Sequence, residues 1–340
     1  MCKLTIKDIA GRCGVSVSTV SRVLNNHPDV SKAVRDKVMA VVKEVHYVPN
    51  SSARDLVKTK SDAIGLVVRG VGNPFFTEVI RSIEQMVGKA GYSLVLHQIH
   101  SGEDELLAGA GLSRSKKLQG LIFLGGRFDY DPEKTAALGV PFVCCTYTNS
   151  FGSLKKEDYS SVYIDDQEEA CRAVSFLIEQ GHRKIAILLD STHDRSISEL
   201  RYQGYCKALN ASGIPLDPGL VEETGGYEMV DAYEGMNHLM DRRDDFTAVF
   251  VIGDAMAVAA MKAMHDRGKR VPEDCSVVAI DGIDMSNYAI PTLTTLVQPK
   301  EQLGVEAVDI LLDMLEGRSG NRHVKVDTTL RTGGSVCRND

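Results

Sequence analysis

From Ser61 onward, short aliphatic and β-branched runs alternate with longer stretches of helical periodicity, and few folds are compatible with that alternation. Ala63 to Val68, Tyr92 to His97, Gly120 to Leu124 and Pro141 to Val143 are almost wholly apolar, as strands buried on both faces of a parallel sheet must be. A second series repeats the pattern with Lys184 to Leu189, Ala248 to Ile252 and Ser276 to Ile280. Helices are expected near residues 167–180, 198–212, 228–241 and 254–267. Two successive doubly wound parallel sheets predict an α/β body of two lobes, with any ligand in the cleft facing the carboxyl ends of the strands. This defines a class of architecture and no activity, because enzymes and binding proteins share it.

The first sixty residues differ in both charge and periodicity. They carry eleven Lys and Arg against five acidic residues, a net charge of +6 in a chain whose total is −7, so residues 61–340 hold −13. A small basic module on a large acidic body suits a protein that meets phosphate only through its amino-terminal end. Thr5 is placed to cap a helix with Ile6, Ile9 and Ala10 on one face, and Gly14 to end it. A second helix is expected from Val17 to about Asn25, with Val20, Val23 and Leu24 inward, and Ser31 then caps a third whose stripe is Val34, Val38, Val41, Val42 and Val45. The spacing is that of a helix-turn-helix in an N-terminal three-helix domain; a small interaction bundle is the competing reading, and the charge and polar outer face weigh against it. Val17, Ser18 and Arg22 are expected to reach base edges, Arg22 by a bidentate pair to guanine, while Thr19, Ser21, Asn25 and Tyr47 bond phosphates.

Catalytic and metal signatures are missing from the sequence. Gly70-Val71-Gly72-Asn73-Pro74-Phe75 lacks the third glycine of a dinucleotide loop, and no phosphate loop, nucleophile elbow or His-Glu-x-x-His occurs. Eight cysteines without a Cys-x-x-Cys pair form neither a zinc spacing nor a disulfide framework. The expectation is a chain that is not an enzyme, with no catalytic residues, cofactor or metal. The start of the chain does not read as a signal peptide and no apolar run approaches membrane-spanning length, so a cytoplasmic protein with no membrane partner is expected.

The run Thr5-Ile6-Lys7-Asp8-Ile9-Ala10, the run Gly14-Val15-Ser16-Val17-Ser18-Thr19-Val20-Ser21-Arg22-Val23-Leu24-Asn25 and Tyr47-Val48-Pro49-Asn50 strongly resemble the lactose/galactose repressor family of bacterial regulators. The resemblance continues through Ala53, Arg54 and Leu56, then Asn73-Pro74-Phe75-Phe76, Gly181-His182-Arg183, Arg201-Tyr202-Gln203-Gly204, Val271-Pro272-Glu273-Asp274 and Pro291-Thr292-Leu293. It implies a helix-turn-helix DNA-binding domain at 3–58 with a hinge helix at about 50–58, and a periplasmic-binding-protein-like body at 62–340. Lobe one is expected to comprise 62–164 and 294–326, and lobe two 165–293 and 327–340. It also adds Thr5, Ser16, Asn50, Ala53 and Leu56 to the DNA-contacting set, with Leu56 as a minor-groove wedge.

For the cleft, the resemblance implies Phe75 and Phe76 as an aromatic wall and Arg201 as a fork onto hydroxyls or a carboxylate. Asp254 and Asp281 would be acceptors, with Arg195 and Tyr227 as further contacts. Two departures alter the polar pattern: Gly253-Asp254 stands where the family usually has Asn-Asp, and Asp281-Gly282 where it has Asp-Asp. The implied protein is a homodimeric, sequence-specific transcriptional repressor on a palindromic double-stranded operator, switched by a sugar-like effector. The alternatives are a regulator controlled by a protein docking on the body and a carbohydrate enzyme with an accessory DNA domain. The tail after Val326 lacks leucine heptads, so no tetramerising coiled coil is expected.

Overall fold

The computed structural model describes residues 5–24, 27–45, 47, 61–70, 72–100 and 102–339. The chain divides into two compact units, one before residue 60 and one from there to the carboxyl end.

In the amino-terminal unit, α1 (Ile6–Cys13), α2 (Val17–Leu24) and α3 (Lys32–Glu44) enclose Ile9, Ala10, Cys13, Val20, Val23 and Val38. The helices begin and end on local signals. Asp8 accepts hydrogen bonds from the Thr5 backbone N–H at 2.6 Å and its hydroxyl at 2.7 Å, which holds the Asp8 carboxyl below its usual range. Gly14 takes a φ of 60°, a left-handed stop that a side chain would strain. Ser16 Oγ accepts from the Thr19 N–H at 3.1 Å at the start of α2, and Ser31 caps α3 through the Val34 N–H. Asn25, expected near the end of α2, lies outside the described residues.

The body contains two six-stranded sheets. In the first, β1 (Ala63–Arg69) lies between β2 (Ser93–Ile99) and β3 (Gly120–Leu124), followed by β4 (Phe142–Cys145), β5 (Ser160–Tyr163) and, at the edge, β11 (His323–Lys325), all parallel. Helices α4 (Pro74–Lys89), α5 (Glu105–Lys116) and α12 (Lys300–Leu315) pack against it, α12 lying along α4. The second sheet runs β7 (Val221–Glu223), β6 (Ile185–Leu189), β8 (Ala248–Val251), β9 (Ser276–Asp281), β10 (Thr294–Val297) and β12 (Thr329–Arg331). Only the β10–β12 pair among these is antiparallel. Helices α7 (Asp166–Glu179) and α8 (Ile197–Ala211) form one packed pair, α9 (Met229–Arg242) and α10 (Asp254–Asp266) another. A β-carbon on Gly204 would come 2.2 Å from the Gln167 carbonyl and 2.9 Å from the Cys171 nitrogen, so glycine permits the close approach of α7 and α8. The short α6 (Pro132–Ala136) and α11 (Asp284–Asn287) complete the described elements used below.

One boundary expected from the sequence is corrected. Residues 294–297 belong to lobe two, because Thr294 to Val297 pair in parallel with Val278 to Asp281. The return to lobe one comes after that strand, and Lys300 already lies in the helix packed on β3, β4 and β5. The physical reason is burial: Thr294, Thr295 and Leu296 are inaccessible between β9 and β12, a position whose backbone polar groups need partners on both sides. The chain thus crosses between lobes near 164–165, 298–299 and 326–328.

Candidate operator-reading helix and interlobe site

On α2 the apolar side holds Val20 and Val23 in the core, and the opposite side is open. Val17 is 40% exposed, Ser18 and Arg22 are exposed, and Thr19 and Ser21 are half-buried. Ser16 spends its hydroxyl on the helix start, 2.7 Å from Ser18 Oγ and 2.8 Å from Thr19 Oγ1. Arg22 Nη1 forms an ion pair with Asp29 Oδ2 at 3.1 Å, while His27 Nδ1 lies 2.9 Å from Asp29 Oδ1. Asp29 was not singled out from the sequence; it lies beyond the helix, and its contact depends on the turn into α3. Tyr47 packs half-buried against the three-helix core. Asn25, Asn50, Ala53 and Leu56 lie outside the described residues.

In the body, the strand ends of lobe two converge on a buried ionic cluster. Arg201, on α8 and 2% exposed, donates from Nε to Asp166 Oδ1 at 2.9 Å, and its Nη2 forms an ion pair with the same oxygen at 2.8 Å. Its Nη1 donates to the Ile252 carbonyl and stands 3.8 Å from Asp281 Oδ1. Asp281 Oδ1 accepts from Gln298 Nε2 at 2.9 Å, and its other oxygen lies 3.3 Å from where a β-carbon on Gly253 would sit. The departure to glycine at 253 therefore makes room for Asp281. Asp281 itself holds a φ of 142°, unusual for a residue with a side chain. Asp254, wholly buried, accepts from the Ile283 N–H at 3.0 Å and the Thr295 hydroxyl at 2.6 Å. Gly253 occupies the cap position of α10, so Asp254 serves the α11 turn and strand β10. Asp166 and Gln298, missed in the sequence, adjoin the crossovers, and only folding brings them to Arg201.

The other expected contacts are divided. Phe75 is core, 3% exposed, whereas Phe76 is half-buried with its ring against Gly70 and Gly125 at the ends of β1 and β3. Arg195 is exposed in a left-handed conformation, φ 54°. Its carbonyl accepts from the Phe128 N–H of the opposite lobe at 3.1 Å. Tyr227 donates to Asp194 Oδ2 at 3.1 Å and lies 2.8 Å from Ser196 Oγ. Across the cleft, Glu105 pairs with Arg69 at the end of β1 and accepts from the Arg127 N–H at 2.6 Å and the Tyr130 hydroxyl at 2.8 Å.

Burial shifts the acids of lobe two. It pushes Asp281 up to about 7, opposed by the charge of Arg201 and reinforced by that of Asp254. Burial and neighbouring Asp194 push Asp190 up to about 6. A carboxyl raised in the folded protein holds protons that the unfolded chain has released. Its stabilising contribution is complete below about pH 4 and is lost as pH rises through the folded values. The urea midpoint of the body is therefore expected to carry a declining component between about pH 4 and 7. Asp281→Asn should remove part of that decline, and an unchanged pH dependence in this variant would refute the assignment.

An amino-terminal helix-turn-helix with an open second helix, followed by a two-lobed body whose strand ends face a cleft, defines the class of ligand-responsive DNA-binding proteins. Residues 5–50 match the bacterial regulatory proteins of the lacI family, and residues 174–336 a periplasmic binding protein-like domain. The chain is 40% identical over 332 residues to the HTH-type transcriptional regulator MalR of Clostridium butyricum, covering 96% of this chain and 97% of that protein. Among solved structures, it resembles a transcriptional regulator CelR–cellobiose complex with 30% identity and a TM-score of 0.72, covering 98% and 99% of the two chains. It also resembles the lac repressor dimer bound to operator and the anti-inducer ONPF, with 26% identity and a TM-score of 0.80 over 99% and 100%. The chain belongs to the LacI family of bacterial regulatory proteins. It is a DNA-binding regulator of transcription controlled by a small-molecule effector.

No helix among the described residues is long and apolar enough to cross a membrane, and none of their His, Cys, Asp and Glu clusters is arranged to hold a metal ion.

Proposed function

We propose that this regulator is a cytoplasmic repressor, active by binding alone, that grips a palindromic operator as a homodimer and is switched by a neutral sugar between the lobes. Val17, Ser18 and Arg22 read base edges; Thr5, Ser16, Thr19, Ser21, Asn25, Tyr47, Asn50 and Ala53 position the backbone, and Leu56 of a hinge at about 50–58 enters the minor groove. In the body, Phe76 offers an aromatic face, with Phe75 supporting it from the core. Arg201 and Asp281 are the polar wall, Asp254 holds the α11 turn behind them instead of meeting the ligand as expected, and Arg195 and Tyr227 lie at its rim. The observation that carries the sugar assignment is the Arg201 cluster at the strand ends of lobe two, together with the half-buried Phe76 ring at the ends of β1 and β3. The cellobiose bound to the CelR relative supports the ligand class. A ligand with unequal affinity for two lobe arrangements shifts operator binding by that difference.

The test is thermal unfolding of the full chain with cellobiose, ribose and glucose, paired with operator titrations. A sugar present at a hundredfold its Kd should add about 2.7 kcal/mol of stability and raise the midpoint. Phe76→Ala should weaken that response. A panel in which no sugar moves either the midpoint or operator affinity would eliminate the sugar switch.

A further inference from the structure

We infer that the body has a second small-ligand site, for a neutral sugar, in a cavity between the lobes at the first crossover. The cavity measures about 360 Å³, within the range of small-molecule pockets. It shares no wall residue with Phe76, Arg195, Arg201, Tyr227, Asp254 or Asp281. Lobe one contributes Thr148, Ser150 and Phe151, and α8 of lobe two contributes Leu200 and Gln203. The crossover between them supplies Tyr163 and Asp166.

The lining specifies the ligand's chemistry. Phe151 and Tyr163 offer apolar ring surface, and hydroxyls and amides surround it, the combination that suits a sugar's C–H face and hydroxyl edge. None of the described wall residues is cationic, and Asp165 and Asp166 both face the space, so a phosphorylated sugar is disfavoured. Asp166 is the anchoring acceptor. It is 4% exposed, and the Arg201 guanidinium approaches it through Oδ1. An ionised carboxylate has about four lone-pair sites, so it can accept from a ligand hydroxyl as well as from the guanidinium.

The position also couples the site to the switch. Filling it bears on Leu200 and Gln203 from one lobe and Thr148 and Phe151 from the other, so occupancy depends on how the lobes are set. Through Asp166 it touches the other side of the Arg201 cluster. An effect on operator affinity rests on the sugar-switch reading above; binding at the cavity does not.

The chain contains no tryptophan, so Phe151→Trp makes a single reporter in the cavity wall. Full-length Phe151→Trp protein titrated with cellobiose and glucose should show a saturable emission change, and glucose 6-phosphate should bind at least tenfold more weakly. Adding Gln203→Leu should weaken the neutral sugar at least tenfold, while with Phe76→Ala the saturable change should persist. Ser150→Trp, at an exposed position, is the second reporter should the first fold poorly. No saturable change with either neutral sugar in either reporter overturns the site. A change lost with Phe76→Ala and indifferent to Gln203→Leu also overturns it, because the reporter then follows closure around the other cleft. A sugar that raises the wild-type midpoint without moving either reporter leaves the interlobe effector intact and removes only the second site.

Discussion

Alanine at Arg201 is expected to destabilise the body by about 3–5 kcal/mol, because it leaves buried carboxylates without their cation. Asp166 loses its hydrogen bond from Nε and its ion pair, Asp281 loses the charge 3.8 Å away, and the Ile252 carbonyl loses its donor. Each is enclosed, so water does not readily take the place of the guanidinium. Burial already raises the Asp166 and Asp281 carboxyls against the pull of Arg201, and without that pull they must protonate further. The destabilisation should therefore shrink toward acid pH, where both are neutral in either chain. Arg201→Lys should fall between the two, since one ammonium cannot reach three acceptors spread round a planar fork. Urea unfolding of each variant at neutral and mildly acidic pH measures this. A loss in Arg201→Ala below about 1 kcal/mol at neutral pH would mean that the cluster is solvated and the ion pair unimportant.

The second large effect is expected at the operator. Arg22→Ala should cost about 1–3 kcal/mol of specific binding, the range for losing one bidentate base contact. It should also relax the preference for guanine at one position of each half-site. Asp29 holds this guanidinium in the unbound protein at 3.1 Å with both side chains half open to solvent, so the exchange of carboxylate for guanine is inexpensive. Thr19→Ala should instead weaken binding evenly across operator variants, as a backbone contact does. Competition titrations at one fixed salt concentration separate the two patterns. Equal loss on every operator variant in Arg22→Ala would remove Arg22 from base readout.

The amino-terminal helices were legible because their determinants are local. Thr5 with Asp8, Gly14 and Ser31 mark the ends of helices within a few residues of themselves, and the valine stripes need no distant partner to be recognised. The long buried strands were equally plain. Strands β5, β7, β10, β11 and β12 are not, since three or four residues that mix polar and apolar side chains form no apolar run and are too few for a period. Thr294 to Val297 also lies across a boundary that the resemblance draws at 294. Its membership depends on pairing with Val278 to Asp281, and nothing within the segment names that partner.

At the site, the resemblance pointed to Arg201, Asp254 and Asp281, but their relations came from the fold. Arg201 meets an aspartate 35 residues earlier, a carbonyl 51 residues later and an acid from the end of β9. Asp254, which the resemblance implies as an acceptor in the cleft, is turned inward to Ile283 and Thr295. The amino-acid order alone determined a basic helix-turn-helix ahead of an acidic two-lobed α/β body, because caps, periodicity and charge act over short distances. Only the tertiary structure decided which acids share Arg201 and where the chain crosses between the lobes. Hydrogen bonds and burial depend on the distances between atoms in space, which separation along the chain does not record.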